Sequence, residues 1–246
     1  MKLIFLLFFS LSFVINSSFF PKENDRCRNS YHLLEQAKLR HDSHNNWKNT
    51  ELRFHIQEPR IANPYRYSKI KLDNKSNAFE IERNRSDGTE KRIINEKGEF
   101  HALFNESEDI PLEIIDKYGL NKERSFGYKN FYATMYGLPM SITENIYENL
   151  DTAEFIKFDG KEAYEIKMTL KENMISKYWS IYLDANDYTI LGLEFSFPND
   201  PAKDEILKFE GEVSVNGIII PRIRNWYSKN SNEYLGSDII VKEIEE

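Results

Sequence analysis

The chain has 246 residues, of which 40% are hydrophobic and 14% aromatic, and its formal net charge is −7. This length and hydrophobic content suffice for a packed core and argue against a disordered chain. The acidic balance argues against nucleic acid as a partner. Because Cys27 is the single cysteine, an intramolecular disulfide is excluded, and stability must come from the core.

The first residues have the pattern of a secretory signal peptide. Lys2 precedes an apolar run over residues 3–15, and Ser17 or Ser18 offers a small side chain at a cleavage point. The run is shorter than the ~20 apolar residues that a membrane-spanning helix needs. We therefore predict a signal peptide over residues 1–18 and an exported protein.

The position of Cys27 argues against a lipid anchor. In bacterial lipoproteins the modified cysteine directly follows the hydrophobic run, whereas Cys27 lies well beyond Ile15 and follows Asp25 and Arg26. We expect a protein that is periplasmic or associated with the outer membrane and is not lipidated. A peripheral contact with a membrane is compatible with this expectation.

The first predicted element of the mature chain is a helix within residues 28–44. Leu33, Leu34 and Ala37 recur near helical spacing, and charged residues take the opposite side. Alternation then predicts strands: in residues 47–57, Leu52, Phe54 and Ile56 share one face. The same pattern recurs in residues 64–73, 78–85, 91–96 and 99–104. Strand and turn repeated this closely imply an antiparallel meander.

Residues 109 to about 145 interrupt this alternation. The sequence DIPLEIIDKYGL predicts a short helix with Pro111 in its first turn. A second helix is predicted from about Lys122 through Tyr136. The break at residues 137–139, Gly-Leu-Pro, ends it, because proline disfavours a helical residue before it.

The remaining sequence returns to strands. Asp159-Gly160 and Asn216-Gly217 are the strongest hairpin signals, since both central positions of a type I′ turn need positive φ. Neighbouring strands joined by short turns give one curved antiparallel sheet. We predict a single α+β domain over residues 28–246, with the N-terminal helix and the 109–145 insert covering the hollow side of the sheet.

No common catalytic signature is present: the sequence lacks a Gly-rich phosphate loop, a CxxC pair, HExxH and G-x-S-x-G. We therefore predict no enzyme and no cofactor. His41 and His44, with Asp42 between them and His32 on the same helix, are the best metal candidates. A solvated helix end, where imidazoles suit the helix dipole, is the favoured interpretation, so no metal is predicted.

An acidic cluster offers the alternative of a hydrolase. Glu106, Glu108 and Asp109 provide the paired carboxylates that glycoside hydrolysis uses. Such a cluster before a predicted helix also fits a capping turn, which is the favoured interpretation.

Apolar residues concentrate around the Gly-Leu-Pro break. The cluster consists of Phe131, Tyr132, Met135, Tyr136, Leu138 and Met140. Methionine repacks around ligands more readily than branched residues do, which favours a lid over an apolar cavity. Ordinary packed core is the competing interpretation.

Three motifs carry a resemblance to a known family. They are YGLPM over residues 136–140, W-x-x-Y-x-D at Trp179, Tyr182 and Asp184, and the closing P-x-x-x-x-W-Y…L-G-x-D at Pro221, Trp226, Tyr227, Leu235, Gly236 and Asp238. From about Tyr31 to its end the chain resembles a family of uncharacterised exported proteins from Bacteroidota. The architecture of that family looks like the LolA/LolB-like superfamily of periplasmic lipoprotein carriers and their outer-membrane receptors.

The resemblance implies a half-barrel of roughly eleven antiparallel strands, with helices in its concave face, that binds a lipid or acyl chain. We therefore expect a non-catalytic envelope protein, a lipid or lipoprotein carrier, with a lipid or lipid-modified protein as partner. The expected lining residues are Phe131, Tyr132, Met135, Leu138 and Met140, with Trp47, Phe195 and Phe209 across from them. The alternatives are an envelope hydrolase acting on sugars or esters, and a structural module that binds a partner at its sheet edge.

Overall fold

The computed structural model describes residues 29–243 of the chain. The predicted signal peptide and Cys27 lie outside these described residues. The helices are α1 (Ser30–His41), α2 (Leu112–Tyr118) and α3 (Lys122–Tyr136). The strands are β1 (Glu51–Gln57), β2 (Tyr67–Asp73), β3 (Ala78–Arg85), β4 (Gly88–Ile94), β5 (Phe100–Phe104), β6 (Tyr147–Leu150), β7 (Glu154–Phe158), β8 (Lys161–Met174), β9 (Ser176–Asp184), β10 (Ile190–Ser196), β11 (Glu205–Val215), β12 (Ile218–Ser228) and β13 (Tyr234–Glu243).

The strands form one open, curved, antiparallel sheet. Their order is β5-β4-β3-β2-β1-β13-β12-β11-β10-β9-β8-β6, and β7 pairs with β8 beside this path. The pairing of β13 with β1 joins the N-terminal meander to the C-terminal one. The predicted α+β half-barrel is confirmed. It contains thirteen strands rather than about eleven, and the short β6 and β7 both pair with the long β8.

Local sequence explains the strands and their turns. In β1, Leu52, Phe54 and Ile56 are fully buried, while the intervening side chains are partly exposed. The two predicted hairpins are confirmed. Asp159-Gly160 joins β7 to β8, Asn216-Gly217 joins β11 to β12, and all four residues have positive φ.

Two helices pack on the concave face and complete the main core. Buried Leu33, Leu34 and Ala37 of α1, and Met135 and Tyr136 of α3, belong to one cluster with the inward side chains of the strands. Apolar burial of this kind stabilises a fold by about 25 cal/mol per Å². None of the helices within residues 29–243 combines the length and the apolar composition of a membrane-spanning segment.

Polar contacts fix where α3 begins. Asn121 caps the helix, its side-chain oxygen accepting a hydrogen bond from the Arg124 amide at 2.9 Å. The buried Arg92 of β4 donates to the carbonyl oxygens of Tyr118 and Gly119, both at 2.7 Å, and to Ser125 Oγ at 3.1 Å. The connection between α2 and α3 is therefore tied to the sheet, which positions the helix above the hollow.

Candidate functional site

A cavity of about 640 Å³ lies between the first part of α3 and the ends of several strands. We call it the α3 cavity. Its walls come from α3, the β1–β2 connection over residues 58–66, the tip of the β8–β9 hairpin over residues 172–175, and β3, β11, β12 and β13. Its apolar and aromatic lining residues are Tyr128, Phe131, Tyr132, Met174, Ile175, Trp226 and Leu235.

A buried ion pair forms part of the cavity wall. Glu58, 2% exposed, accepts hydrogen bonds from Arg83 Nη2 at 2.9 Å and Arg83 Nε at 3.2 Å. Ser68 Oγ donates to the same carboxylate at 2.5 Å, and Tyr132 Oη donates to it at 2.9 Å. Burial would raise the pKa of Glu58, but Arg83, the nearby Arg66 and these hydrogen bonds hold it below its usual value. The carboxylate is thus ionised and fully engaged.

The face of α3 toward the sheet carries a tyrosine row. Tyr128, Tyr132 and Tyr136 recur every four residues, so their rings stack, with centroids 6.2 and 5.6 Å apart. The Arg83 guanidinium lies 5.5 Å from the Tyr128 centroid, and that of Arg224 lies 4.1 Å from the Tyr136 centroid. These cation–π contacts attach α3 to the sheet with charged rather than purely apolar groups.

The closing motif of the sequence builds the opposite side of the cavity. Asp238 accepts a hydrogen bond from Trp226 Nε1 at 2.8 Å and another from Arg60 Nη2 at 2.6 Å. A side chain at Gly236 would place its Cβ 2.4 Å from Arg60 Cδ, so glycine is needed here to leave room for the Arg60 side chain. The motif W-Y…L-G-x-D therefore positions Arg60, Trp226 and Asp238 around the cavity.

Two further charged side chains, those of Arg66 and Glu205, line the cavity, and each has few neighbours of opposite charge. Arg66 Nε lies 3.7 Å from Glu58 Oε2, which is its one ion pair among the described residues. Burial lowers the pKa of Arg66, and Arg60 and Arg83 lower it further, whereas Glu58 opposes them. On β11, burial raises the pKa of Glu205, and Arg60 opposes this shift.

The eight predicted lining residues occupy three different places. Phe131 and Tyr132 line the α3 cavity. Five of the eight are buried in the core and do not line the cavity: Trp47, Met135, Leu138, Met140 and Phe195. Phe209 is partly buried and lines a second cavity of about 290 Å³ beside Arg40 and His41. That these residues bind a ligand stays a prediction.

The two histidines considered as metal candidates, His41 and His44, have separate environments. His41 is buried, and its Nδ1 lies 2.7 Å from the carbonyl oxygen of Ile219. Its Nε2 accepts a hydrogen bond from the Ile190 amide at 3.0 Å. His44 is exposed. No group of three or more His, Cys, Asp or Glu side chains that could hold a metal occurs within residues 29–243. His41 instead joins the end of α1 to two strands.

The side chains of the acidic cluster are exposed to solvent. Glu106, Glu108 and Asp109 are exposed in the connection between β5 and α2. Glu108 approaches His101 at 3.9 Å, and both side chains are more than half exposed. None of the three lines the α3 cavity.

Sequence reasoning missed Tyr128 and the four arginines that line the cavity, which are Arg60, Arg66, Arg83 and Arg124. The spacing of Tyr128, Tyr132 and Tyr136 was one available signal, since residues four apart share a helix face. Another was the alternation of β3. Arg83 continues the buried positions Phe79 and Ile81 at a period of two, which places it on the inner face.

Comparisons with known proteins agree with this architecture. The model of a family of unknown function, DUF6503, matches residues 2–245. No curated protein matches the chain in sequence. A LolA superfamily protein from Nitrosomonas europaea is similar in structure, with a TM-score of 0.50 and 8% identity over 88% of this chain and 93% of that chain.

A domain from Vibrio parahaemolyticus, described as an outer membrane lipoprotein-sorting protein domain, is similar to the same degree. Its TM-score is 0.50, with 13% identity over 88% of this chain and 93% of that chain. At these identities the two comparisons show a shared fold. The LolA-like architecture implied by the sequence resemblance is therefore confirmed.

Proposed function

We propose that this chain, which belongs to the family of unknown function DUF6503, binds a lipid or another acyl-chain ligand in the α3 cavity without converting it. The observation that carries the proposal is the cavity itself, about 640 Å³ in volume, with aromatic and aliphatic walls. Small-molecule sites typically occupy about 300–1,000 Å³ and combine apolar walls with a few polar groups. The fold shared with an outer membrane lipoprotein-sorting protein domain supports the same ligand class.

The physical basis of binding is burial of the hydrocarbon chain. Each buried methylene contributes about 0.8 kcal/mol, so ten contribute about 8 kcal/mol before association costs. A micromolar dissociation constant corresponds to about −8 kcal/mol. Useful affinity therefore requires polar contacts in addition to the apolar walls.

Binding without catalysis is supported by the state of the two buried cavity carboxylates, Glu58 and Asp238. Glu58 is held by Arg83 and Tyr132, and Asp238 by Arg60 and Trp226. A carboxyl group that acts as a general acid or base must be free to exchange a proton with substrate. Together with the predicted signal peptide, this supports an exported, non-lipidated carrier of lipid or lipid-modified protein in the cell envelope.

Gly127 allows a direct test of the proposal. This residue lines the cavity from α3, and an added Cβ would meet no atom within 4 Å. Gly127→Trp should therefore fill the cavity while leaving the helix intact. Gly127→Ala is the matched control, because it adds one methyl group and leaves most of the volume open.

The readout is lipid carried by the protein purified from its own cell envelope, measured by native mass spectrometry and lipid extraction. We expect bound lipid in the natural protein and in Gly127→Ala, and at least a tenfold loss in Gly127→Trp. Equal lipid content in all three proteins would place the ligand elsewhere. A lipid-free natural protein that hydrolyses chromogenic esters or glycosides would support the hydrolase alternative instead.

A further inference from the structure

We infer that the ligand of the α3 cavity carries a single anionic group, such as a carboxylate, and that Arg66 binds it. This inference rests on the proposed function and specifies the polar end of the ligand. It is drawn from the hydrogen-bonding state of Arg66 and from the balance of charge around it.

Arg66 has donors that the protein does not use. A guanidinium group presents five N–H donors. Among the described residues, the Arg66 guanidinium donates no hydrogen bond, and its buried Nε has no hydrogen-bond partner. The one nearby carboxylate, Glu58, already accepts four hydrogen bonds, from Arg83, Ser68 and Tyr132. An arginine side chain that is 21% exposed and lines a cavity is thus available to a ligand.

The charged groups near Arg66 are paired with one another, and Arg66 is not. Three guanidinium groups line this end of the cavity, those of Arg60, Arg66 and Arg83, against two carboxylates, those of Glu58 and Asp238. Asp238 is paired with Arg60 at 2.6 Å and Glu58 with Arg83 at 2.9 Å. Of these five groups, Arg66 is the one without a hydrogen-bonded ion pair. A single negative charge on the ligand would provide that partner.

The remaining lining charges define the competing possibility. Arg124 and Glu172 are exposed at the cavity, and Glu205 faces it from β11. The Glu205 carboxyl has a cationic neighbour in Arg60, and Arg66 has an anionic neighbour in Glu58 as well as the cations Arg60 and Arg83. Because the Glu58 carboxylate already accepts hydrogen bonds from Arg83, Ser68 and Tyr132, the unused donors of Arg66 favour an anion over an ammonium group.

The chemistry of the guanidinium fits a carboxylate. Its planar donors bind carboxylate oxygens in pairs, and charge-assisted hydrogen bonds are stronger than neutral ones. At a partly buried site such contacts improve affinity by roughly tenfold or more. A neutral alcohol of the same chain length retains the apolar burial and loses this contribution.

Calorimetric titration with chain-matched amphiphiles tests the inference. The ligands are dodecanoate, dodecanol and dodecyltrimethylammonium, each below its aggregation concentration, and acetate as the head group without a chain. We expect dodecanoate to bind at least tenfold more tightly than dodecanol. Arg66→Gln should reduce this ratio to less than threefold.

Two variants separate the local charge from general effects. Arg222→Gln removes the same charge from an exposed position outside the cavity and should keep the tenfold ratio. Arg66→Lys keeps the charge without the planar donor pair and should give an intermediate ratio. Thermal melting of each variant establishes that it is folded before its affinities are compared.

Each contrary result has a distinct meaning. If dodecanoate and dodecanol bind equally, the anionic head group is wrong while the acyl-chain cavity stands. If dodecyltrimethylammonium binds best, the acidic wall at Glu172 and Glu205 is the head-group site. If acetate binds as tightly as dodecanoate, the site takes a small anion. If no amphiphile binds, the proposed function fails, and this inference fails with it.

Discussion

Arg83 and Glu58 form an ion pair in the protein interior, with Arg83 Nη2 2.9 Å from Glu58 Oε1 and both side chains no more than 5% exposed. The pair connects β3 to the connection after β1. Tyr132 of α3 donates to the same carboxylate, so the pair also holds the helix against the sheet. Removing one partner would leave a buried charge uncompensated.

We therefore predict that Arg83→Met lowers the free energy of unfolding by about 3–5 kcal/mol. The double variant Glu58→Leu/Arg83→Met should be more stable than either single variant, because neither Glu58 nor Arg83 is then left as a buried charge without its partner. Urea unfolding of the four proteins measures the coupling. Lys69–Glu82, an exposed pair at 2.9 Å, is the control: Lys69→Met should change stability by less than about 1 kcal/mol. Additive effects at Arg83 and Glu58 would show that the pair is not coupled.

Replacement by alanine should have opposite effects on stability at Gly127, which lies within α3, and at Gly137, which directly follows it. Gly127→Ala should raise the free energy of unfolding by about 1 kcal/mol, because alanine favours the helix and the added Cβ meets open space. At Gly137 the added Cβ would lie 2.3 Å from Trp47 Cζ2 and 2.5 Å from the Ala133 carbonyl oxygen. Gly137→Ala should therefore destabilise the protein. Chemical denaturation of both variants checks the contrast, and a loss of stability in Gly127→Ala would show that the position is not open.

The fold was largely predictable because its signals are local. Alternation defines β1, and the Asp159-Gly160 and Asn216-Gly217 turns fix two hairpins within a few residues. The pairing of β1 with β13 joins strands about 180 residues apart, and no local pattern contains it. The helical insert was predictable for the same local reason, whereas its contacts with the sheet were not.

The candidate site was less predictable, because a packed core and an apolar cavity require the same residue types. Met135, Leu138 and Met140 fit both, and the structure buries all three in the core. The polar lining, by contrast, comes from segments that are distant in sequence. Glu58 and Tyr132 are 74 residues apart, and their contact follows from the tertiary fold alone.

This ambiguity leads to a paired prediction for α3. Met135 is 1% exposed and lies in the core, whereas Phe131 is partly buried and lines the cavity. Met135→Ala should lower the free energy of unfolding by about 2–5 kcal/mol. Phe131→Ala should cost less stability and weaken acyl-chain binding more than Met135→Ala does. Denaturation and dodecanoate titration of the two variants give the comparison. Stronger loss of binding in the folded Met135→Ala protein would identify Met135 as a ligand contact.

His41 predicts a dependence of stability on pH. Burial lowers its pKa below the ordinary value of 6.5, and Arg40 lowers it further, while the Ile219 carbonyl, Glu212 and Asp187 oppose them. Below about pH 6.5 the unfolded chain binds a proton at this site that the folded chain does not. The free energy of unfolding should therefore fall as the pH drops below 6.5, until the folded imidazole also becomes protonated.

Urea unfolding between pH 7.5 and pH 5 measures this slope for the natural protein and for His41→Gln, which lacks the titrating group. The difference in stability between them should narrow as the pH falls, because the natural protein loses the contribution of a neutral His41. His44→Gln, at an exposed position of the same segment, should keep the natural slope. If the slope persists in His41→Gln and disappears in His44→Gln, the pH dependence comes from His44 rather than from His41. That result would contradict the interpretation based on the buried hydrogen bonds of His41 with Ile190 and Ile219.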